Sequence, residues 1–248
     1  MVIEARRFLE LAEALPFAPL PEIIGEGGVV VLAPHPDDES LGCGGLLAAA
    51  RGTGRAVAVI FVSDGGASHR NSRRYPPPAL RELRAAEGRA ALAALGLPEG
   101  TARFLDLPDA AVPDRGPVFE AAVAAILGLV RAVRASVLLA TWGHDPHCDH
   151  QAVHAMAAAV ARQCPGLRHL AYPVWGHTLP PGTMIPDGAP RGARLDIAAQ
   201  LPAKRRAIAA HRSQTTPLID DDPEGFCLDA AMLARFDRPF ELFLEPAA

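Results

Sequence analysis

Short apolar segments rich in β-branched residues alternate with longer segments of helical periodicity. The apolar segments predict buried strands, the last on a weaker pattern, at Gly28–Ala33, Ala56–Ser63, Arg103–Leu107, Ser136–Thr141 and Leu170–Trp175. The segments between them predict helices at Leu41–Arg51, Leu80–Leu95, Val118–Arg134 and Asp149–Arg162. Because the strands are apolar throughout, we expect a mostly parallel sheet with helices on both faces, a Rossmann-like α/β fold.

The rest of the chain contains no evident linker or repeat, so we expect a single domain over residues 1–248. Residues 1–27 predict a helix and an extended arm that packs on this domain, and residues 215–248 form a C-terminal extension. The remaining predictions are a strand at Ala193–Ala198, a helix at Pro202–His211, and loops at Tyr75–Pro78 and Pro180–Pro190.

Composition and charge exclude several classes of protein. Hydrophobic residues make up 50% and charged residues 21% of the chain, as in globular proteins. The net charge of −4 gives no reason to expect a nucleic-acid partner, and no apolar run approaches the roughly 20 residues that span a bilayer. Charges within the first ten residues interrupt any signal-peptide core, and the 4 cysteines form no CxxC pair. We therefore expect a cytoplasmic protein with reduced thiols; homo-oligomerisation stays open.

Ionisable side chains follow the first predicted strand, at the edge where parallel sheets bind ligands. His35, Asp37, Asp38 and Glu39 lie within five residues. Groups so close together repel or desolvate one another unless a cation or hydrogen bonds compensate. A solvated turn before a helix is the alternative, since the helix dipole favours acidic residues there. The position after a buried strand favours a functional site.

A second cluster follows the fourth predicted strand. It contains Asp149 and four of the 9 histidines, His144, His147, His150 and His154. We expect His144 to be a loop residue and His154 a helix residue. If the sheet joins the two clusters, they supply imidazole and carboxylate ligands that suit zinc or a similar divalent ion. Three protein ligands would leave a position open for water, as is typical of catalytic sites.

The chain resembles the PIG-L (LmbE-like) family of zinc-dependent N-acetylglucosaminyl deacetylases in two motifs. These are AlaProHisProAspAspGlu at 33–39 and HisCysAspHis at 147–150. The resemblance covers about residues 28–214, and the paired motifs are its specific part. Weaker matching fragments are Ser63-Asp-Gly65, Arg84-x-x-Glu87, Leu107-Pro-Asp109 and the stretch from Lys204 to Gln214. It implies an LmbE-like fold and a hydrolase that removes the acetyl group from an N-acetylated sugar by cleaving a linear amide bond.

The resemblance also implies a metal centre. His35, Asp38 and His150 would be the metal ligands, with Zn²⁺ as the ion and Fe²⁺ or another divalent ion as the alternative. Asp37 would be the general base that deprotonates the zinc-bound water.

The same resemblance assigns catalytic roles around the metal. Protonated His147 would stabilise the oxyanion together with the metal, and Asp149 would orient His147. The proton for the departing amine would come from Asp37 or from His147, and the sequence leaves both open.

Arg84 and Asp109 would contact the sugar or its aglycone. For Arg84, an ion pair with Glu87 one helical turn away is the alternative. Asp64 could bond a ligand histidine or simply form a turn. The single lysine, Lys204, predicts helix anchoring near the site.

Two other functions stay open at this stage. A catalytically silent glycan- or metal-binding module would be favoured if Asp37 or His147 were missing, and both are present. A related metal-dependent amidase acting on a thiol conjugate is also compatible with the motifs. Hydrolysis of a phosphoester is less attractive, because the sequence supplies no glycine-rich phosphate loop. The identity of the N-acetylated substrate is not fixed by the sequence.

Overall fold

Nine strands and nine helices are present in residues 2–247, which the structure, a computed structural model, describes. The strands are β1 (Ile3–Glu4), β2 (Gly28–Ala33), β3 (Val57–Ser63), β4 (Ala102–Leu107), β5 (Ala135–Thr141), β6 (Arg168–Tyr172), β7 (Met184–Ile185), β8 (Gly192–Asp196) and β9 (Phe240–Leu244). The helices are α1 (Ala5–Glu13), α2 (Leu20–Ile24), α3 (Asp38–Arg51), α4 (Pro77–Ala94), α5 (Pro117–Ala132), α6 (Cys148–Arg162), α7 (Leu201–Ala210), α8 (Arg212–Thr215) and α9 (Ala230–Phe236).

Seven strands form the central sheet in the order β4-β3-β2-β5-β6-β9-β8. The five strands β4, β3, β2, β5 and β6 are parallel, so the predicted Rossmann-like class is confirmed. Every residue of β2 is buried, because separate apolar clusters pack on the two faces of the sheet. From β2 the chain moves outward to β3 and β4, and then returns to place β5 on the other side of β2. The crevice between β2 and β5 is therefore the topological switch point.

The C-terminal strand was not predicted, yet the sheet depends on it. β9 lies between β6 and β8 and is antiparallel to both. The prediction of a mere extension over residues 215–248 is therefore incomplete, since this region contributes both β9 and α9. A second local error concerns Pro77 and Pro78, which were assigned to a loop. They form the first turn of α4. Backbone N–H groups in the first turn have no hydrogen-bond partner within the helix, so proline, which lacks this group, is tolerated there.

The N-terminal residues pack on the sheet, as expected for an arm. β1 pairs with β7, and Phe8 of α1 stacks on Trp142 with ring centroids 5.1 Å apart. None of the helices described for residues 2–247 combines the length and the apolar character needed to cross a membrane.

A buried ion pair joins three elements on one face of the sheet. Lys204 Nζ of α7 lies 2.7 Å from Glu241 Oε1 of β9, and each side chain is 2% exposed. Glu241 also accepts hydrogen bonds from the backbone N–H groups of Gly45 and Leu46 in α3. Lys204 thus anchors α7 by linking it, through Glu241, to β9 and α3.

Replacing Lys204 by methionine tests this link. The Lys204→Met variant keeps the side-chain volume but leaves Glu241 as a buried charge without its cation. We expect the free energy of unfolding to fall by about 3–5 kcal/mol, measured by chemical denaturation. Arg205→Met on the same helix is the control, because it removes an exposed ion pair with Asp237 and should have little effect. Equal losses in the two variants would contradict the role assigned to the buried pair.

Candidate active site and metal centre

The two predicted clusters meet at the switch point. The first cluster follows β2 and opens α3, and the second follows β5 and opens α6. Each segment connects the end of a strand to the start of a helix, so the side chains of both segments face one crevice at the edge of the sheet. The result is a cleft of about 580 Å³ that His35, Asp37, Asp38 and His147 line.

One oxygen of Asp38 lies between two imidazoles. Its Oδ2 is 3.3 Å from Nδ1 of His35 and 3.2 Å from Nε2 of His150. With metal–ligand bonds of about 2.0–2.1 Å, neighbouring ligand atoms of a tetrahedral ion lie roughly 3.3–3.4 Å apart. Both observed distances match the edge of such a tetrahedron, so the Asp38 oxygen could share a metal ion with either histidine.

The second ring nitrogen of each of these histidines contacts a carboxylate. His35 Nε2 lies 3.1 Å from Asp109 Oδ1 and 3.0 Å from Asp149 Oδ2. His150 Nδ1 lies 3.0 Å from Oδ2 of Asp145. A carboxylate on the far nitrogen holds the ring in place and fixes its proton there, leaving the near nitrogen free to bind a metal.

His150 gives direct support for a bound cation. Its Nε2 is buried and forms no hydrogen bond within the described part of the chain, although it lies close to Asp38. A buried nitrogen without a partner is costly, and a metal ion would satisfy it. Three sets of donors in the described residues have ligand atoms that all lie within 4.8 Å of one another, and none of them contains Asp38: His35/His147/His150, His35/Asp109/Asp149 and His147/Cys148/Asp149. We favour Asp38 over these, because its oxygen is shared by both fixed histidines.

The pKa shifts of His150 and Asp38 indicate that the carboxylates of the cluster favour positive charge on the histidines. Burial opposes ionisation of His150, but the charge of Asp38 and the hydrogen bond to Asp145 outweigh it and raise the pKa of His150 to about 9. Burial opposes ionisation of Asp38 as well, yet the two histidines hold the pKa of this carboxyl well below its usual range. In the metal-free protein, protons on the imidazoles thus balance the carboxylates. A divalent cation can take over this compensation.

Asp37 points away from the histidines and toward the open cleft. Its Oδ2 lies 3.3 Å from Nη2 of Arg84, which also donates to the carbonyl of Pro36. Burial and the nearby charge of Asp38 raise the pKa of Asp37 to about 6, although Arg84 opposes the shift. The backbone of Asp37 is strained, with φ at 142°, a value that a residue with a side chain rarely adopts. Glu39 stabilises this conformation, because its carboxylate accepts the N–H of Asp37.

His147 lines the cleft and caps helix α6. The N–H of Asp149 donates to its Nδ1 at 3.2 Å, so the ring accepts at this nitrogen. Burial and the positive charge of His35 and His150 lower the pKa of His147. Asp149 thus contacts His147 through its backbone N–H and not through its carboxylate. The carboxylate instead accepts the N–H groups of Ala110 and Val112 and contacts His35, while only its backbone positions His147.

Arg84 forms no ion pair with Glu87, so the structure rejects that alternative. Glu87 accepts hydrogen bonds from the backbone and hydroxyl of Ser213. Arg84 faces the cleft beside Asp109, with Nη1 at 4.0 Å from the carboxylate. Asp64 forms a turn by accepting the N–H of Gly66 and does not contact a histidine.

Sequence reasoning missed two features of the site. Asp145 was not assigned a role, although its Oδ2 supports both His150 and the backbone of Val174. Its place in the second cluster, five residues before His150, was the available signal. The far wall of the cleft was also missed, because it includes Phe226 and Met232 from the C-terminal region, which carry no recognisable motif. His211 follows α7, and its Nε2 lies 2.9 Å from Oε1 of Glu39.

Fold and site together define an α/β protein with a candidate metal centre at the switch point of a mostly parallel sheet. The model of the PIG-L family, described as GlcNAc-PI de-N-acetylase, matches residues 30–161, slightly more than half of the chain. The chain belongs to this family. The matched segment contains every site residue that the sequence predicted.

Three similar proteins illustrate the relationship. A 1D-myo-inositol 2-acetamido-2-deoxy-alpha-D-glucopyranoside deacetylase from Actinosynnema mirum is 29% identical, over 73% of this chain and 78% of its own. A conserved protein from Thermus thermophilus has a TM-score of 0.62 and 25% identity, covering 89% of this chain and 95% of that one. The N,N'-diacetylchitobiose deacetylase from Pyrococcus horikoshii also has a TM-score of 0.62, with 22% identity and coverage of 89% and 84%. The last supports the fold alone.

The geometry of the cluster makes a prediction about metal binding. We expect the protein, dialysed against Zn²⁺, to retain one ion per chain by elemental mass spectrometry. His150→Ala should lose this ion, because it removes the buried nitrogen that lacks a partner. His177→Ala, which changes a histidine outside the cleft, should retain it. Retention of the full metal content by His150→Ala would exclude this residue from the metal centre.

Proposed function

We propose that this protein is a metal-dependent deacetylase that removes the acetyl group from an N-acetylglucosaminyl-type substrate. The observation that carries the proposal is the oxygen of Asp38 held between His35 and His150, with a second carboxylate, Asp37, facing the cleft beside it. The deacetylase activity in the name of the Actinosynnema mirum relative supports the choice of reaction. A metal centre with a neighbouring carboxylate that is not a metal ligand is an arrangement suited to amide hydrolysis.

In this proposal His35, Asp38 and His150 hold the ion, which is Zn²⁺ or, alternatively, Fe²⁺. When bound, a divalent ion at this position would lower the pKa of water and polarise the acetamide carbonyl. Asp109, Asp145 and Asp149 support the ligands from the second ring nitrogens, as the 3.0–3.1 Å contacts indicate.

Asp37 acts as the general base. Its carboxylate faces the cleft, and its pKa of about 6 leaves it ionised at neutral pH while keeping it basic enough to accept a proton from the attacking water. Arg84 keeps this carboxylate oriented through the 3.3 Å contact. After attack, the proton on Asp37 can pass to the departing amine.

His147 stabilises the charge that develops on the acetamide oxygen. Because its Nδ1 accepts the N–H of Asp149, its proton resides on Nε2 in the neutral ring. The lowered pKa of His147 favours this neutral form, so it acts as a hydrogen-bond donor rather than as a fixed cation. Delivery of a proton from His147 to the amine, the alternative to delivery from Asp37, would require the protonated imidazole.

The direct experiment is a deacetylation screen. Metal-loaded protein is incubated with N-acetylglucosamine and a small set of its conjugates, and release of acetate is followed by mass spectrometry. We expect the loss of one acetyl group from at least one conjugate, and inhibition by a chelator. Metal-loaded protein that deacetylates none of them would contradict the proposed reaction.

The Asp37→Asn variant separates the general base from the metal ligands. We expect it to bind the same amount of metal as the wild type, because Asp37 does not contact the histidines. Turnover should fall by about 10²–10⁴-fold, since the amide cannot accept the proton. Metal content and steady-state kinetics on the same preparation check both parts. Asp64→Asn, a turn aspartate outside the cleft, is the matched control, and near-normal turnover in Asp37→Asn would refute the assignment.

A further inference from the structure

Three apolar side chains form one wall of the cleft, called here the apolar wall. It consists of Trp175, which follows β6, together with Phe226 and Met232 from the C-terminal region. The rings of Trp175 and Phe226 are in edge contact, with centroids 5.7 Å apart and an interplanar angle of 86°. The catalytic groups proposed above occupy a different part of the same cleft.

Phe226 is exposed without a structural reason. Of the large apolar side chains that are exposed in residues 2–247, only Phe226 lines this cleft, with 37% of its surface accessible. Aromatic side chains contribute most when buried, so an aromatic group left open in a concave site indicates a missing apolar partner. A cleft of about 580 Å³ also has the size of sites that hold drug-sized ligands, which leaves room beyond an acetamide.

The segment that carries Phe226 is held firmly in place. The N–H of Phe226 donates to the carbonyl of Ser68 at 2.8 Å. Asp221 accepts the N–H groups of Arg73 and Arg74 on the facing loop. The preceding Gly225 has no room for a side chain, because a Cβ there would lie 2.1 Å from the ring of His69. Phe226 is therefore preorganised and is not the tip of a mobile loop.

The other two members of the wall are fixed as well. Asp229 caps α9 by accepting the N–H of Met232 at 2.7 Å. The N–H of Val174, next to Trp175, donates to Asp145, the same carboxylate that supports His150. The wall thus has a fixed position relative to the metal cluster.

The polar neighbour of the wall is already engaged. Asp222 lines the cleft, but its carboxylate accepts the N–H groups of Asn71 and Glu224. The wall itself offers a ligand the apolar surface of Trp175, Phe226 and Met232, while Arg70, Asn71 and Glu224 also line the cleft.

We propose that the apolar wall is a subsite for an aromatic or similarly apolar substituent carried by the sugar. The inference rests on the proposed deacetylase function for the identity of the sugar, and it defines the chemical class of the attached group. Contact with the two rings would bury the exposed face of Phe226 and orient the acetamide toward Asp37.

Kinetics with matched glycosides test the subsite. We expect kcat/KM for benzyl N-acetylglucosaminide to exceed that for the methyl glycoside by about tenfold or more, because the benzyl ring is buried on the wall. Phe226→Ala should remove most of this preference, whereas Phe226→Leu should retain part of it. Phe17→Ala, which truncates an exposed aromatic side chain away from the cleft, is the control. Equal rates for both glycosides, or a stronger preference for N,N'-diacetylchitobiose, would overturn the proposal.

Fluorescence gives a readout that does not need activity. The chain has 2 tryptophans, and Trp142 is only 3% exposed. A ligand-dependent change in the tryptophan fluorescence of the metal-free protein therefore reports on Trp175. We expect saturable quenching by the benzyl glycoside, little change with the methyl glycoside at equal concentration, and loss of quenching in Phe226→Ala. Quenching without any deacetylation would support the wall and contradict the proposed function. Deacetylation without benzyl preference or quenching would contradict the wall alone.

Discussion

The proposed chemistry of this protein depends on one carboxylate that lies between two buried imidazoles. The oxygen of Asp38 lies within 3.3 Å of His35 and His150, and the three side chains are almost inaccessible to water. Such a cluster is stable only when positive charge balances its carboxylates, because the low-polarity surroundings screen charge poorly. Protons can provide this balance, but a metal ion also satisfies the Nε2 of His150 that otherwise has no partner.

The fold creates this arrangement by bringing two strand ends together. β2 and β5 are neighbours, and the residues that follow each strand leave the sheet at the same edge. Three carboxylates then hold the two histidines in place through contacts with their second ring nitrogens. Asp145 holds His150, and Asp109 and Asp149 hold His35. The strained backbone of Asp37 lets consecutive carboxylates point in different directions, one toward the histidines and one toward the cleft.

The parts of the structure that depend on local pattern could be predicted from the sequence. Five parallel strands, their helices and both clusters follow from apolar runs and from charged residues at strand ends. β9 could not be predicted in this way, because its position between β6 and β8 depends on pairing with strands far away in the chain. The partner of the Asp149 carboxylate was missed for the same reason. Its contact with His35 spans two distant segments, whereas the family resemblance paired Asp149 with His147.

X-ray absorption spectroscopy of the zinc-loaded protein tests the central claim most directly. The account predicts a first shell of nitrogen and oxygen at about 2.0–2.1 Å, with the outer-shell scattering of two imidazole rings and without sulfur. The neighbouring Cys148 makes the test informative, since it belongs to another set of donors that are close enough to share an ion. A sulfur ligand at about 2.3 Å, or a shell with fewer than two imidazoles, would contradict the claim that His35, Asp38 and His150 share the metal.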